Sequence, residues 1–278
     1  MQLLFFCPRW GSSHIPWEVF LDDVKKAGFD GVETGIPEDK AERIRMFNLL
    51  EKHGLRFILQ HYEPGTTDFR RHKAAYITRL KDMLSYQPYL INSQTGRDLF
   101  SVEENTALLA TANELERSSA IPILHETHRG RFSYALHSAR RYFHLDWLKL
   151  TLDVAHWFCV AETLLTDQEE ALGQAIKRTR LIHARIGHTQ GPQVFDFRDP
   201  QWEAVVKRHF DIWDSVIRLR EEDGIGEMPV TAEFGPPPYM PSLPDYMDPQ
   251  EYQFKTNVAI TSLFKQRYPR FTHDHHPS

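Results

Sequence analysis

The chain has 278 residues, 41% apolar and 26% charged, a composition that suits one large packed domain or two small ones. Thirty-three Lys and Arg against 38 Asp and Glu leave a net charge of −5, which argues against a broad nucleic-acid surface, where basic side chains must displace counterions. Cys7 and Cys159 are too few for a disulfide framework, no apolar run could span a bilayer, and MQLLFFCPRW lacks a basic leader, so the expectation is a soluble cytoplasmic protein with no membrane partner.

Short β-rich runs alternate with longer amphipathic segments along the chain. LLFFC (3–7) precedes WEVFLDDVKKAG (17–28), where Trp17, Phe20, Leu21 and Val24 fall at helical spacing and Gly28 stops the helix. DGVET (30–34) leads to DKAERIRMFNLLEKHG (39–54), RFILQHY (56–62) to DFRRHKAAYITRLKDML (68–84), and PYLINSQ (88–94) to VEENTALLATANELER (102–117). PILHET (122–127) is followed by FSYALHSARRYF (132–143), and KLTLDVAHW (149–157) by QEEALGQAIKRT (168–179). LIHARIG (181–187) precedes QWEAVVKRHFDIWDSVIRLR (201–220), and PVTAEF (229–234) precedes PQEYQFKTNVAITSLFKQR (249–267). Eight strand–helix units in this length predict a single-domain α/β (β/α)8 TIM barrel over residues 1–270, with a polar tail, FTHDHHPS, at 271–278.

Side chains on a strand alternate faces, so the apolar set of each strand fixes what points into the barrel. With Leu150, Leu152 and Val154 toward the helices, Asp153 points inward; Ile182, Ala184 and Ile186 send His183 and Arg185 inward; Val230, Ala232 and Phe234 do the same for Glu233. In PILHET both faces carry a polar residue, and pairing Leu124 with Glu126 turns Glu126 inward and His125 toward a helix. Glu126, Asp153, His183 and Glu233 thus meet at one end of the lumen. Any one of them alone reads as a cap or a salt bridge, such as Glu126 with Arg185. Together they form three carboxylates that resist common ionisation unless a divalent cation joins them. Three oxygen donors and an imidazole suit Mn²⁺, Zn²⁺, Co²⁺ or Mg²⁺ and leave positions open for substrate.

GVE at 31–33, HET at 125–127, LDVAH at 152–156, IHAR at 182–185 and AEF at 232–234 together resemble the xylose isomerase-like barrel superfamily of sugar isomerases, epimerases and endonuclease IV-type enzymes. The resemblance implies that Glu126, Asp153, His183 and Glu233 hold one divalent metal and that the two glutamates act as acid and base on opposite faces of a sugar. It points to a metal-dependent sugar, sugar phosphate or polyol isomerase or epimerase working through an enediolate. A keto-acid substrate is a further possibility. His156 would bond a substrate oxygen or orient a ligand, and Arg185 would grip a hydroxyl, carboxylate or phosphate.

Four other positions keep two readings. His61, taken with Phe57 and Leu59 as inward-facing, is either a substrate contact or a core histidine. Glu33 bonds a sugar hydroxyl or caps the next turn, Trp10 walls a sugar ring or packs, and His128 with Arg129 reaches the mouth or is solvated. His188 has no parity argument. Tyr239 and Tyr246 hint at a homo-oligomer. An endonuclease IV-like phosphodiesterase would need a histidine where the fourth strand offers Asn92, Ser93 and Gln94, and an Asp-x-His pair missing from GHTQGPQVFDF. A non-catalytic sugar-binding barrel is the remaining alternative.

Overall fold

The computed structural model describes residues 1–62, 66–240 and 247–272. Strands β1 (Gln2–Pro8), β2 (Gly31–Thr34), β3 (Arg56–His61), β4 (Leu90–Ser93), β5 (Ile123–Glu126), β6 (Leu150–Leu152), β7 (Thr179–Ala184) and β8 (Glu227–Ala232) pair in parallel and in chain order. β8 returns to β1, with Phe5 opposite Val230, and closes the barrel. Around it run α1 (Trp17–Lys26), α2 (Lys40–His53), α3 (Phe69–Leu84), α4 (Val102–Ser119), α5 (Leu136–Ala139), α6 (Val154–Ala161), α7 (Glu169–Arg178), α8 (Glu203–Glu222) and α9 (Pro249–Arg267). The predicted (β/α)8 barrel is what forms. Among the described residues no helix is long and apolar enough to cross a membrane.

Strand alternation divides the apolar side chains between two compartments. Leu4, Phe6, Ile58, Leu90, Leu124 and Leu181 fill the lumen, while Leu3, Phe5, Cys7, Leu59, Ile91 and Ile123 pack beneath the helices. Beyond that plug the inward positions turn polar, at Glu33, Asn92, Glu126 and His183, all buried. Helix ends follow local chemistry. Asp39 accepts from the Glu42 amide to start α2, and Gly54 at φ +60° ends it; Ser101 and Glu104 make a reciprocal capping box on α4.

The segment 132–143 holds only the four-residue α5 and a 3-10 turn, Arg140–Tyr142, in place of the expected helix. Its beginning is tied down, because Ser133 donates to the Glu126 carbonyl at 2.7 Å and accepts the Trp157 indole N–H through its own carbonyl at 2.7 Å. The run KLTLDVAHW also divides: β6 stops at Leu152, and α6 starts at Val154 with Asp153 as its N-cap. Val154 still lies in the helix-side core, so the sidedness read from the sequence stands although the strand is shorter. Phe271, assigned from sequence to the polar tail, is buried against the barrel; residues 273–278, and Tyr246, lie outside the described residues.

Burial keeps three histidines of the helix–strand layers neutral, pushing His61 and His125 down to about 3 and His209 to about 4. His209 shows how: its Nδ1–H donates to the Val205 carbonyl at 2.9 Å while Nε2 accepts the Gly187 amide at 3.3 Å. The unfolded chain takes up these protons near pH 6.5 and the folded chain does not, so the folded state loses stability as pH falls from about 6.5 toward 4. At roughly 1.4 kcal/mol per pH unit for each group, offset in part by buried Glu126 and Asp153, whose raised values act in the opposite sense, urea denaturation at pH 7 and pH 5 should show a net fall. Equal midpoints and slopes at the two pH values would contradict it.

Candidate active site

Each of the four candidate ligands sits at the C-terminal end of its strand. Glu126 is the last residue of β5, Asp153 follows β6, His183 is next to last in β7, and Glu233 follows β8. Glu126, Asp153 and His183 are fully buried, and Glu233 is 5% exposed. One ligand atom from each lies within 4.8 Å of every other, the spacing a shared cation needs. His183 Nδ1 and Glu233 Oε2 face each other at 2.9 Å, yet neither makes a hydrogen bond. A ring nitrogen and a carboxylate oxygen left unbonded on converging lines fit a common cation. The residues present therefore fit one divalent ion.

Behind the ring, His183 Nε2 meets Glu33 at 3.1 Å. That contact holds a proton on Nε2, so Nδ1 is the ring nitrogen that a cation would meet once it displaced the second proton. Glu33 also accepts from Asn92 at 2.7 Å and Thr231 at 2.6 Å, and Asn92 donates onward to Glu126 at 3.0 Å. Glu33 is thus buried beneath the site, its oxygens used by three protein partners, and it is absent from the cavity lining. Asn92 is the residue the sequence reading missed most plainly.

Arg185 pairs with Asp153 through a short contact, lies 3.5 Å from Glu233, and sets its guanidinium 4.8 Å from the Tyr239 ring centroid. The alternative pairing of Arg185 with Glu126 does not form; Asp153 takes its place. Asp153 serves twice, because Oδ1 also accepts the Ala155 amide at 3.0 Å and caps α6. The cap is present, and it leaves the same carboxylate within the candidate ligand group. His156, on the first turn of α6, is fully buried with Nε2 3.0 Å from Arg185 and its ring 4.0 Å from that of His128.

These contacts separate the charges of the acids. Burial raises Glu126 to about 8, helped by the neighbouring carboxylates, and raises Asp153 to about 6 against the pull of Arg185. Burial also pushes Glu233 upward, but His183 and Arg185 outweigh it and bring Glu233 down to about 2. Burial opposes a charge on His183, and Glu233 and Glu33 overcome it, holding the imidazole well above its usual range.

Above the four candidate ligands lies a cavity of about 430 Å³. Glu126, Glu233, Arg185 and Trp10 line it, joined by His128 and four residues the sequence reading did not assign to the site: Gln60, Tyr62, Gln94 and Tyr239. Trp10 stands edge-on to Tyr239 at 5.0 Å, and its ring passes so close to Gly235 that a Cβ there would lie 2.2 Å away. Tyr239, suspected of mediating self-association, is half-buried in this wall. His61 corrects its expected direction. Phe57 and Leu59 pack under the helices, so His61 follows them outward, edge-on to Tyr76 at 5.0 Å and 3.0 Å from Ser93 Oγ, while Gln60 points to the cavity. His188 packs on Trp202, outside the cavity lining.

No family model matches the chain, and no curated protein matches it in sequence. Its fold is shared with several solved structures. The probable 3-DHS dehydratase AsbF of Bacillus anthracis, involved in petrobactin synthesis, is 16% identical over 96% of this chain and 100% of its own, with a TM-score of 0.62. A sugar phosphate isomerase/epimerase from Parabacteroides distasonis is 12% identical over 95% and 98%, with a TM-score of 0.61. Endonuclease IV from Thermus thermophilus is 11% identical over 95% and 100%, with a TM-score of 0.53. At such identities the likeness is one of fold, and it agrees with the xylose isomerase-like barrel expected from the motifs.

Asp153→Ala removes a candidate ligand, a helix cap and the partner of buried Arg185 at once. Divalent-metal titration of the purified variant should show the tight site lost, and thermal unfolding without metal should show at least about 0.5–2 kcal/mol less stability from the missing cap, with a further loss from Arg185 left unpaired. Metal retained at wild-type affinity would exclude Asp153 from the site.

Proposed function

We propose that this protein is a metal-dependent isomerase or epimerase of a sugar, sugar phosphate or polyol-type ketone. The observation that carries the proposal is the set Glu126, Asp153, His183 and Glu233, converging at the floor of a cavity that both glutamates line. A divalent ion held by these four residues would supply polarisation of a substrate ketone and its neighbouring hydroxyl, acidifying the carbon-bound hydrogen between them.

The remaining chemistry belongs to the chain. Glu126 comes from β5 and Glu233 from the end of β8, so the two carboxylates reach the cavity from well-separated strands. One removes the carbon-bound proton and the other delivers a proton to the opposite face, inverting the centre through an enediolate. Without an ion their environments already differ: burial holds Glu126 up at about 8, while His183 and Arg185 bring Glu233 down to about 2. Arg185 offers its guanidinium to a substrate oxygen, and His156 steadies Arg185 from behind. Trp10 and Tyr239 give the sugar an aromatic wall. Gln94, which donates to Glu126 at 3.3 Å and accepts from Arg131 at 3.2 Å, holds the acid in place.

Glu126→Gln and Glu233→Gln keep an oxygen donor and most of the volume, and each should cost roughly two or more orders of magnitude in turnover at matched metal occupancy. In D₂O the wild type should incorporate deuterium at one carbon of a turned-over sugar. Turnover with no solvent deuterium would assign hydride transfer and leave the glutamates as ligands only.

We also propose that the chain does not cleave DNA, despite its likeness in fold to endonuclease IV. Asn92 occupies the fourth strand's inward place, bonded to Glu33 and Glu126, and the net charge is −5. An abasic duplex incubated with the protein and Mn²⁺ or Zn²⁺ at low salt should stay intact. Metal-dependent incision lost in Glu233→Gln would reverse this reading.

A further inference from the structure

A second cavity, of about 350 Å³, opens beside the first, and both are lined by Trp10 and Gln60. Arg9, Trp17, Gly35 and Glu42 also line it, from the loops after β1 and β2 and from α1 and α2. None of these four touches the metal-ligand group or lines the first cavity.

Arg9 is the informative residue. It is 7% exposed, its guanidinium carbon lies 4.2 Å from the Trp17 ring centroid and 4.6 Å from that of Phe20, and Nη2 donates to the Ser13 and Ile15 carbonyls. Nη1 is buried and makes no hydrogen bond. Native structures rarely leave a buried guanidinium donor unmet, and because Arg9 lines this cavity, a small turn of its guanidinium would offer Nη1 to a ligand oxygen there. Glu42 adds an exposed carboxylate, which takes the Trp17 indole N–H at 3.1 Å.

A guanidinium donor, a carboxylate acceptor and aromatic rings around one cavity match a polyhydroxylated ring, whose hydroxyls accept from the first and donate to the second. They match a phosphate or carboxylate poorly, because Glu42 would repel the anion that Arg9 attracts. Building on the isomerase reading, we infer that this cavity is a subsite for a second glycosyl unit. The substrate is then a glycoside, with the reacting sugar over Glu126 and Glu233, the second ring against Arg9 and Glu42, and Trp10 between them.

Calorimetric titration of Mn²⁺-loaded protein with D-fructose and with the ketose disaccharides turanose, lactulose and isomaltulose tests this. At least one disaccharide should bind about tenfold or more tighter than fructose, the gain of a few well-placed hydrogen bonds. In Glu42→Ala, which alters an exposed helix position, and in Gly35→Leu, where a Cβ meets nothing within 4 Å, that affinity ratio should fall about fivefold or more. No disaccharide preference in the wild type, or a preference untouched by both substitutions, removes the subsite. The two readings fail separately. Turnover of a monosaccharide without disaccharide preference removes the subsite and keeps the isomerase. A substitution-sensitive preference with no turnover of any sugar keeps the subsite and removes the isomerase.

Discussion

Everything at the mouth of this barrel answers to one constraint: three carboxylates share a space from which water is almost excluded. Glu126, Asp153 and Glu233 are 0–5% exposed and crowd around one imidazole. Repulsion and desolvation at that density cost more than folding can absorb unless each charge is protonated, paired or bonded. The chain uses all three. Glu126 is pushed toward its acid form, Asp153 takes Arg185, and Glu233 shares His183 and Arg185. His183 Nδ1 and Glu233 Oε2 face each other as an ion pair without a hydrogen bond, so a cation would take over the balance that this pair now supplies.

That balance depends on residues with no chemistry of their own to offer a substrate. Glu33 bonds His183 Nε2, and Asn92 spans from Glu33 to Glu126, so one buried network sets the direction of two candidate ligands, on β7 and β5. Below it the plug of Leu4, Phe6, Ile58 and their neighbours closes the lumen to water. Above it Trp10 and Tyr239 narrow the opening. The low dielectric that makes the acids expensive also strengthens every interaction they would make with a reacting sugar.

How much of this was legible depended on whether a strand carried a phase. β7 and β8 alternate cleanly, so Ile182 and Ala184, or Val230 and Ala232, point His183 and Glu233 inward without ambiguity. β3 reads Phe57, Ile58, Leu59, apolar on both faces because a barrel strand is buried on both. Such a run has no phase, and choosing Phe57 and Leu59 as the inward pair turned His61 the wrong way. Asn92 and Gln94 were invisible for another reason. An amide carries no charge to be explained, so nothing in the sequence demanded a partner for it, although both touch Glu126. The short α5 failed through tertiary override: FSYALHSARRYF has helical spacing, but Ser133 is claimed by the end of β5 before a helix can form.

Asp153 shows why the fold and the site cannot be assigned to separate residues. Its position directly after Leu152 ends β6, its Oδ1 begins α6, and its Oδ2 anchors Arg185. Starting the helix there is what carries His156 to the rear of Arg185, and Arg185 in turn lies against Tyr239. A strand two residues longer, as the sequence pattern suggested, would put His156 beyond the end of an extended segment with no such contact. The cap is therefore a geometric requirement of the site: the same carboxylate that would hold a cation decides where the chain turns, and the turn decides which cation-facing groups a substrate meets.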